Sequence, residues 1–264
     1  MRTNEGLFFD GNDLSSPDID NAGFHNSIYR GKNITSYLDD GSLWTRISSG
    51  KFTDLFVGDY FTARVNGSLK NLEIAEFDRF YVYGRDRLAQ HHAVIVPSSS
   101  LTDARMNDSA STSGGYAGSK MFTTTLPEWT GYLETALGAS HVLQTSEFLT
   151  SQIDMTETNI MRPGLTGASV GGTFYTSKAN LLSETEVYGY LSCGSSGYEC
   201  AMCNSGQLPL FKLKPRKILV IDDVYWLRTI ASAKEFCCVN GTDGSTDMEY
   251  AGVLHGVRPR FVIG

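Results

Sequence analysis

Five cysteines, two adjacent histidines and several grouped carboxylates are the residues of this sequence able to do chemistry. Cys193, Cys200 and Cys203 give the spacing C-x6-C-x2-C, and Cys237 and Cys238 are neighbours. A structural zinc site takes four ligands, usually as two C-x-x-C-like pairs. Cys200 and Cys203 make one such pair and no second follows, so ordinary reduced thiols are expected, with a disulfide as the alternative. His91 and His92 invite a metal, but adjacent residues of a strand point to opposite faces and do not share one ion. Glu184 and Glu186 have the makings of a general acid, yet nothing else in the sequence converges on them, so a structural or solvated role is expected. Asp10, Asp13, Asp18 and Asp20 miss the alternating positions of a calcium loop. His25 has no carboxylate or cysteine at ligand spacing and reads as structural. There is no Ser/His/Asp order in motif context, no phosphate-cradling glycine loop and no zinc-protease signature. The expectation is a chain without catalytic residues, metal or cofactor.

Behind these residues stand the elements that must position them. Residues 1 to 23 are polar and turn-prone, without an apolar period, and read as an extended N-terminal arm in which Leu7, Phe8 and Phe9 form a hydrophobic plug. Residues 24 to 264 read as a single domain. Ser36 to Gly50 reads as a short helix and turn. Asp54 to Val65 and Leu72 to Tyr83 read as strands about the turn Asn66-Gly67, with a bend at Gly58-Asp59. The apolar run ending at Pro97 predicts a buried strand, and Leu101 to Met106 a short helix. Ser109 to Gly118 reads as a surface loop. Pro127 to Leu137 is the clearest helix, with proline in its first turn, Trp129, Leu133, Ala136 and Leu137 on one face, and Gly138 closing it. Ser151 to Thr176, with Gly164, Gly167, Gly171 and Gly172, reads as a long irregular excursion and a second contact surface.

The stretch Tyr225 to Phe261 organises the rest. Tyr225-Trp226-Leu227-Arg228 and Gly256-Val257-Arg258-Pro259-Arg260-Phe261 bracket a segment rich in Ser, Thr, Asp, Asn and Gly. Arg228 and Arg258 each carry a planar five-donor fork able to tie several loop carbonyls. Trp226, Arg228, Gly256, Arg258 and Pro259 are therefore expected to be structural anchors, with Trp226 buried and Gly256 permitting a tight backbone approach. Tyr225, Glu235, Asn240, Asp243, Asp247, Tyr250 and His255 are expected to form one exposed, contiguous ligand-binding face. Aromatic and small polar residues give contact area and adaptable hydrogen bonds at low entropic cost.

These residues carry a resemblance. W-L-R at 226–228, the strand Glu235-Phe236-Cys237-Cys238-Val239 and the terminal G-V-R-P-x-F resemble a domain of unknown function found in phages and prophages of Gram-positive hosts. The same ending is similar to the C-type-lectin-like fold of phage receptor-binding proteins, retroelement-diversified variable proteins and formylglycine-generating enzymes. Further matching pieces are Phe24 to Lys32, Phe52 to Tyr60, His91 to Pro97, Met106-Asn107 with Gly114-Gly115-Tyr116, Glu184 to Gly189 and Gln207 to Phe211. The resemblance implies an α+β, C-type-lectin-like (formylglycine-generating-enzyme-like) mixed fold with long irregular loops. It implies a virion-associated protein that recognises a host cell-surface protein or glycan, or a purely structural head decoration or tail accessory. Formylglycine-generating enzymes depend on two reactive cysteines held close in space; Cys237 and Cys238, adjacent on a strand, face opposite sides, and an enzyme is not expected.

Composition sets the outer bounds. A hydrophobic fraction of 41% over 264 residues suffices for a substantial core. A formal net charge of -7 argues against a nucleic-acid partner, which needs clustered Lys and Arg. No apolar run approaches a membrane span, and Gly6-Leu7-Phe8-Phe9 is too short for a signal sequence. The expected setting is the virion, after folding in a host cytoplasm. The expected partners are other virion proteins and further copies of the chain, a trimer before a dimer, with the arm at the contact.

Overall fold

The computed structural model describes residues 21–81, 88–199 and 206–264. Most of the arm with Leu7 to Phe9 and its four aspartates, the end of the strand expected to reach Tyr83, and Cys200 and Cys203 lie outside the described residues. The chain begins with three short helices, α1 (Ala22–Asn26), α2 (Thr35–Asp39) and α3 (Ser42–Ser48), followed by strands β1 (Tyr60–Val65), β2 (Ser68–Phe77), β3 (Ala93–Pro97) and β4 (Thr102–Ala104). Next come α4 (Leu126–Leu137), β5 (Val142–Leu143), β6 (Thr145–Thr158), β7 (Thr166–Ser177), β8 (Ala179–Leu181), α5 (Glu184–Tyr188) and α6 (Pro209–Leu213). The C-terminal part is all strand: β9 (Tyr225–Ile230), β10 (Glu235–Val239), β11 (Thr246–Tyr250), β12 (His255–Val257) and β13 (Pro259–Ile263). The fold is mixed α+β, mostly strands with few helices.

Asn66 and Gly67 both take positive φ, 45° and 78°, as a two-residue hairpin turn requires, and so set the β1–β2 register from Val65 opposite Ser68. The first sheet runs β1-β2-β3-β13-β5, with β8 also on β13. The second runs β11-β10-β9-β12-β4, antiparallel except where β12 meets β9. Arg258 alone separates β12 from β13, so the chain leaves one sheet and enters the other within a single residue.

Three cores explain the burial. Outside the first sheet, Trp129, Leu133 and Leu137 of α4 pack with Leu43, Ile47, Phe61 and Ile95. Between the sheets, Val94, Val96 and Val262 meet Tyr225, Leu227, Cys237 and Val239. Outside the second sheet, Trp226, Ile230, Phe236 and Cys238 pack under Met106, Tyr116 and Met121. Strands β3, β9 and β13 therefore have both faces covered, and every residue in them is buried.

Three sequence expectations need correction. Residues 151–176 are not an irregular excursion but most of a long hairpin, β6 paired with β7 from Thr145 opposite Ser177. Its glycines mark bulges and close approaches: a β-carbon on Gly172 would meet the Leu149 carbonyl, and one on Gly167 the backbone of Ala233. Within Leu101 to Met106 the chain forms strand β4 (Thr102–Ala104) instead of a helix, because pairing with His255–Val257 satisfies its backbone. The loop expected at the surface over Ser109 to Gly118 buries Thr112, Tyr116 and Ala117, which cap the outer core.

Candidate functional site

Six charged side chains form one buried cluster that links the two sheets. Arg228 on β9 places Nη1 3.0 Å from Glu147 Oε2 and Nη2 3.4 Å from Glu186 Oε2. Arg260 on β13 pairs with the same Glu147 oxygen and sets Nε 2.5 Å from Glu186 Oε1. Arg79 reaches Glu76 at 2.7 Å and Glu186 at 3.5 Å. Asn180 donates to Glu147 at 2.7 Å. Burial works against ionisation of Glu147, but Arg260 and Arg228 outweigh it and hold the carboxyl well below the usual range. Glu186 is likewise lowered, by Arg228, Arg260 and Arg79 against its burial. Three cations thus balance three carboxylates in the interior. Glu186 has a second duty: with Ser183 it closes the capping box of α5. The spacing Ser183-x-x-Glu186 is the sequence signal for that box, and reading it would have placed a helix here.

The anchors are scaffold in the structure. Trp226 is fully buried and its indole donates to the Ala104 carbonyl at 2.9 Å. Arg258 donates to the carbonyls of Pro97 (2.8 Å), Lys217 (3.0 Å) and Ile218 (3.2 Å). Arg228, expected to tie loop carbonyls, pairs with the carboxylates Glu147 and Glu186. A β-carbon on Gly256 would collide with Ser100 Oγ and Asp223 Oδ1. Pro259 opens β13.

The seven residues expected to form one face do not. Tyr225 is buried: its hydroxyl donates to the Ile218 carbonyl at 2.8 Å and accepts from Arg258 at 3.2 Å, so it belongs with the anchors. The reason is that β9 is covered on both faces. Glu235 is half-buried, opposite Tyr250 in the β10–β11 pairing, and accepts from Ser232 at 2.7 Å. Asn240 and Asp243 shape the connecting turn, accepting from Thr242 and Ser245 backbone amides at 2.8 and 2.9 Å. Asp247 and Tyr250, both exposed, lie an odd number of residues apart and so on opposite faces of β11. His255 is half-buried against Trp226, with ring centroids 4.9 Å apart, and burial pushes its pKa down. What remains exposed is the β10–β11 hairpin: Asp243 in the turn, then Asp247 and Tyr250 on β11, the edge strand of its sheet.

The paired histidines meet Asp78 differently, His91 through its ring and His92 through its backbone amide. His91 Nδ1 lies 2.7 Å from Asp78 Oδ2, while His92 accepts from the Phe80 amide at 3.0 Å and points its other ring nitrogen at the Gln90 carbonyl. His25 is buried among Phe24, Phe52, Phe56 and Phe77, its Nδ1 2.6 Å from the Leu55 carbonyl. Glu184 is buried too, accepting from the Cys193 amide at 3.0 Å, the Gly194 amide at 2.8 Å and the Thr246 hydroxyl at 2.6 Å. Cys237 and Cys238 face different cores, the first between the sheets and the second beneath Trp226. Cys237 shares the core between the sheets with Cys193, 44 positions earlier, which its spacing did not announce.

A groove of about 500 Å³ lies elsewhere, between α4 and the base of the β6–β7 hairpin. Phe122, Thr130, Gln144 and Thr176 line it, and the Lys178–Glu134 pair at 2.5 Å closes one side. None of the seven residues borders it. Among the described residues no three His, Cys, Asp or Glu side chains form a metal-holding group, and no helix is long and apolar enough to cross a membrane. Compared with known protein families, curated proteins and solved structures, the chain matches none.

Proposed function

We propose that the chain is a bacteriophage virion protein with a C-type-lectin-like body, presenting the β10–β11 hairpin to a host-surface protein or glycan. The observation that carries this reading is the position of β11. It is an edge strand, with Asp247 and Tyr250 exposed, on a sheet whose next two strands are entirely or almost entirely buried. A rim of polar and aromatic side chains on a rigid sheet loses little freedom on binding. The residues resembling phage receptor-binding proteins supply the virion setting, and the acidic balance fits a partner other than nucleic acid. In this reading the chain binds and assembles and does not catalyse.

The test separates display from scaffold. Replacing Asp243, Asp247 and Tyr250 together by alanine is expected to leave folding nearly intact, since exposed changes usually stay within about 0.5 kcal/mol each. Phage carrying the triple variant is expected to adsorb poorly to host cells. Trp226→Ala, which removes a buried aromatic, is expected to cost roughly 3–5 kcal/mol and to lower the melting temperature sharply. If the triple variant melts as early as the tryptophan variant, the hairpin is core. Normal folding with normal adsorption refutes receptor binding.

One observation favours the structural alternative, a head decoration or tail accessory protein. Met155, Ile160, Met161 and Val170 are exposed along the distal half of the β6–β7 hairpin and the loop joining its strands. Apolar side chains grouped this way suit burial between copies or against another virion protein. A homo-oligomer, trimer before dimer, belongs to both readings, and light scattering of the purified chain decides it.

A further inference from the structure

The groove between α4 and the base of the β6–β7 hairpin lies where the chain changes sheets. Gln144 is the single residue between β5, which pairs with β13, and β6, which pairs with β7. Lys178 stands in the same way between β7 and β8. From α4 the groove takes Pro127, Thr130 and Glu134, whose spacing puts them on one side of the helix, while Trp129, Leu133 and Leu137 go to the core. We propose that this groove binds a neutral saccharide of one or two rings.

Size and one prepared wall come first. A volume of about 500 Å³ falls within the range of small-molecule sites, roughly 300–1,000 Å³. Phe122 is half-buried, its ring edge-on to Tyr175 with centroids 5.8 Å apart and tilted against Tyr116 at 5.3 Å. A ring held in this way loses little freedom when a ligand lies on it. Phe122 and Thr123 enter the groove from a π-helical turn over Met121–Thr125, directly before α4. Such turns are rare, and they are frequent at functional sites.

The polar lining selects the ligand. Among the described residues the exposed Gln144 amide and Thr176 hydroxyl make no hydrogen bond through their side chains, so their donors and acceptors face the groove open. Thr130 Oγ1 donates to the Leu126 carbonyl at 2.8 Å and keeps acceptor capacity; Ser177 Oγ accepts from Asn180 at 2.9 Å and keeps its proton to give. The charges on the wall cancel, since Lys178 sits on Glu134 and on the Ala139 carbonyl at 3.2 Å. A charged ligand therefore gains little here, and a wholly apolar one strips water from the amide and hydroxyls without replacing it. A sugar ring meets both demands, with a C–H face for Phe122 and hydroxyls that donate and accept at once. The proposal does not rest on the hairpin reading, because Asp243, Asp247 and Tyr250 do not border the groove.

The experiment titrates the full chain with glucose, galactose, N-acetylglucosamine and lactose and follows each by saturation-transfer NMR. The expected result is saturable binding of at least one of them, with a Kd on the order of 1 mM, as the binding efficiency ordinary for small ligands implies. Gln144→Ala and Thr176→Val, at exposed positions, are each expected to weaken it about three- to tenfold with the melting temperature unchanged. Phe122→Leu, which keeps an apolar side chain in place, is expected to weaken it as well. The alanine triple variant at Asp243, Asp247 and Tyr250 is expected to bind the sugar as the wild type does, so this site and the hairpin fail separately. Binding of none of the four sugars overturns the proposal. So does binding unchanged in both Gln144→Ala and Phe122→Leu, or binding lost in the hairpin variant. Tighter binding of glucuronate or glucosamine than of glucose also overturns it, because the ion pair and not the neutral lining would then recognise the ligand.

Discussion

Replacing Glu147 by glutamine keeps the shape of the side chain and removes one of the three carboxylates of the arginine–glutamate cluster. Glu147 is buried and pairs with Arg228 and Arg260 at once, so the variant leaves both guanidinium groups to share Glu186 with Arg79. With charge centres about 4 Å apart and an effective dielectric of about 20, each attraction is roughly 4 kcal/mol. Removing the carboxylate from water costs several kcal/mol, so the pairs do not add in full. Breaking a buried pair from one side typically costs about 3–5 kcal/mol, a large part of the 5–15 kcal/mol by which domains are stable. Urea unfolding at pH 7 is the assay, with Asp108→Asn as control. Asp108 pairs with Lys120 at 2.6 Å in the open, and such a pair contributes about 0–1 kcal/mol. The pH dependence sharpens the test. Glu147 has its folded pKa held below an unfolded value of about 4.3, so its contribution is complete above that value and is lost as pH falls. The gap between wild type and Glu147→Gln is therefore expected to narrow below about pH 4. A loss under about 1 kcal/mol at pH 7, or a gap that does not narrow in acid, refutes the reasoning.

Two further outcomes follow from buried groups. Burial raises the Glu199 carboxyl to about 8, so between about pH 4.3 and 8 the unfolded chain binds fewer protons than the folded one and stability falls as pH rises. Glu199→Gln is expected to raise the melting temperature more at pH 8 than at pH 5, and a gain equal at both values would count against it. Gly256→Ala is expected to cost about 1–3 kcal/mol through overpacking against Ser100 and Asp223, read by denaturant midpoint.

The parts legible in the sequence were those with local causes. Asn66-Gly67 fixed the β1–β2 hairpin, and a one-sided apolar period and Gly138 fixed the body and end of α4, while a π-helical turn over Met121–Thr125 leads into it ahead of the proline. Tyr225 escaped because a strand covered on both faces has no alternation to separate inside from outside. The β6–β7 hairpin escaped because its glycines look like loop residues until the backbones they approach are known. The interior charges were invisible for another reason: Arg228 and Arg260 find Glu147 across 81 and 113 residues. Nothing in the spacing of 147, 186, 228 and 260 announces a cluster. The same distance hid that Cys193 and Cys237 share one core.

The passage of the chain from β12 to β13 through Arg258 bears on how the molecule comes into being on the ribosome. Residues 255–263 form an inner strand in each sheet and supply two of the arginines that reach back to earlier segments. They are also translated after the other strands of both sheets. Until they emerge, β3 and β5 have no strand between them, β9 lacks one neighbour, and Glu147 and Glu186 lack one of their arginines. A growing chain can form local pieces such as the β1–β2 hairpin and α4, but closure of both sheets awaits this one segment. During that interval the apolar faces of unfinished sheets stand open to neighbouring nascent chains, which makes slow elongation near codon 255 a hazard for yield, independent of the finished protein's stability.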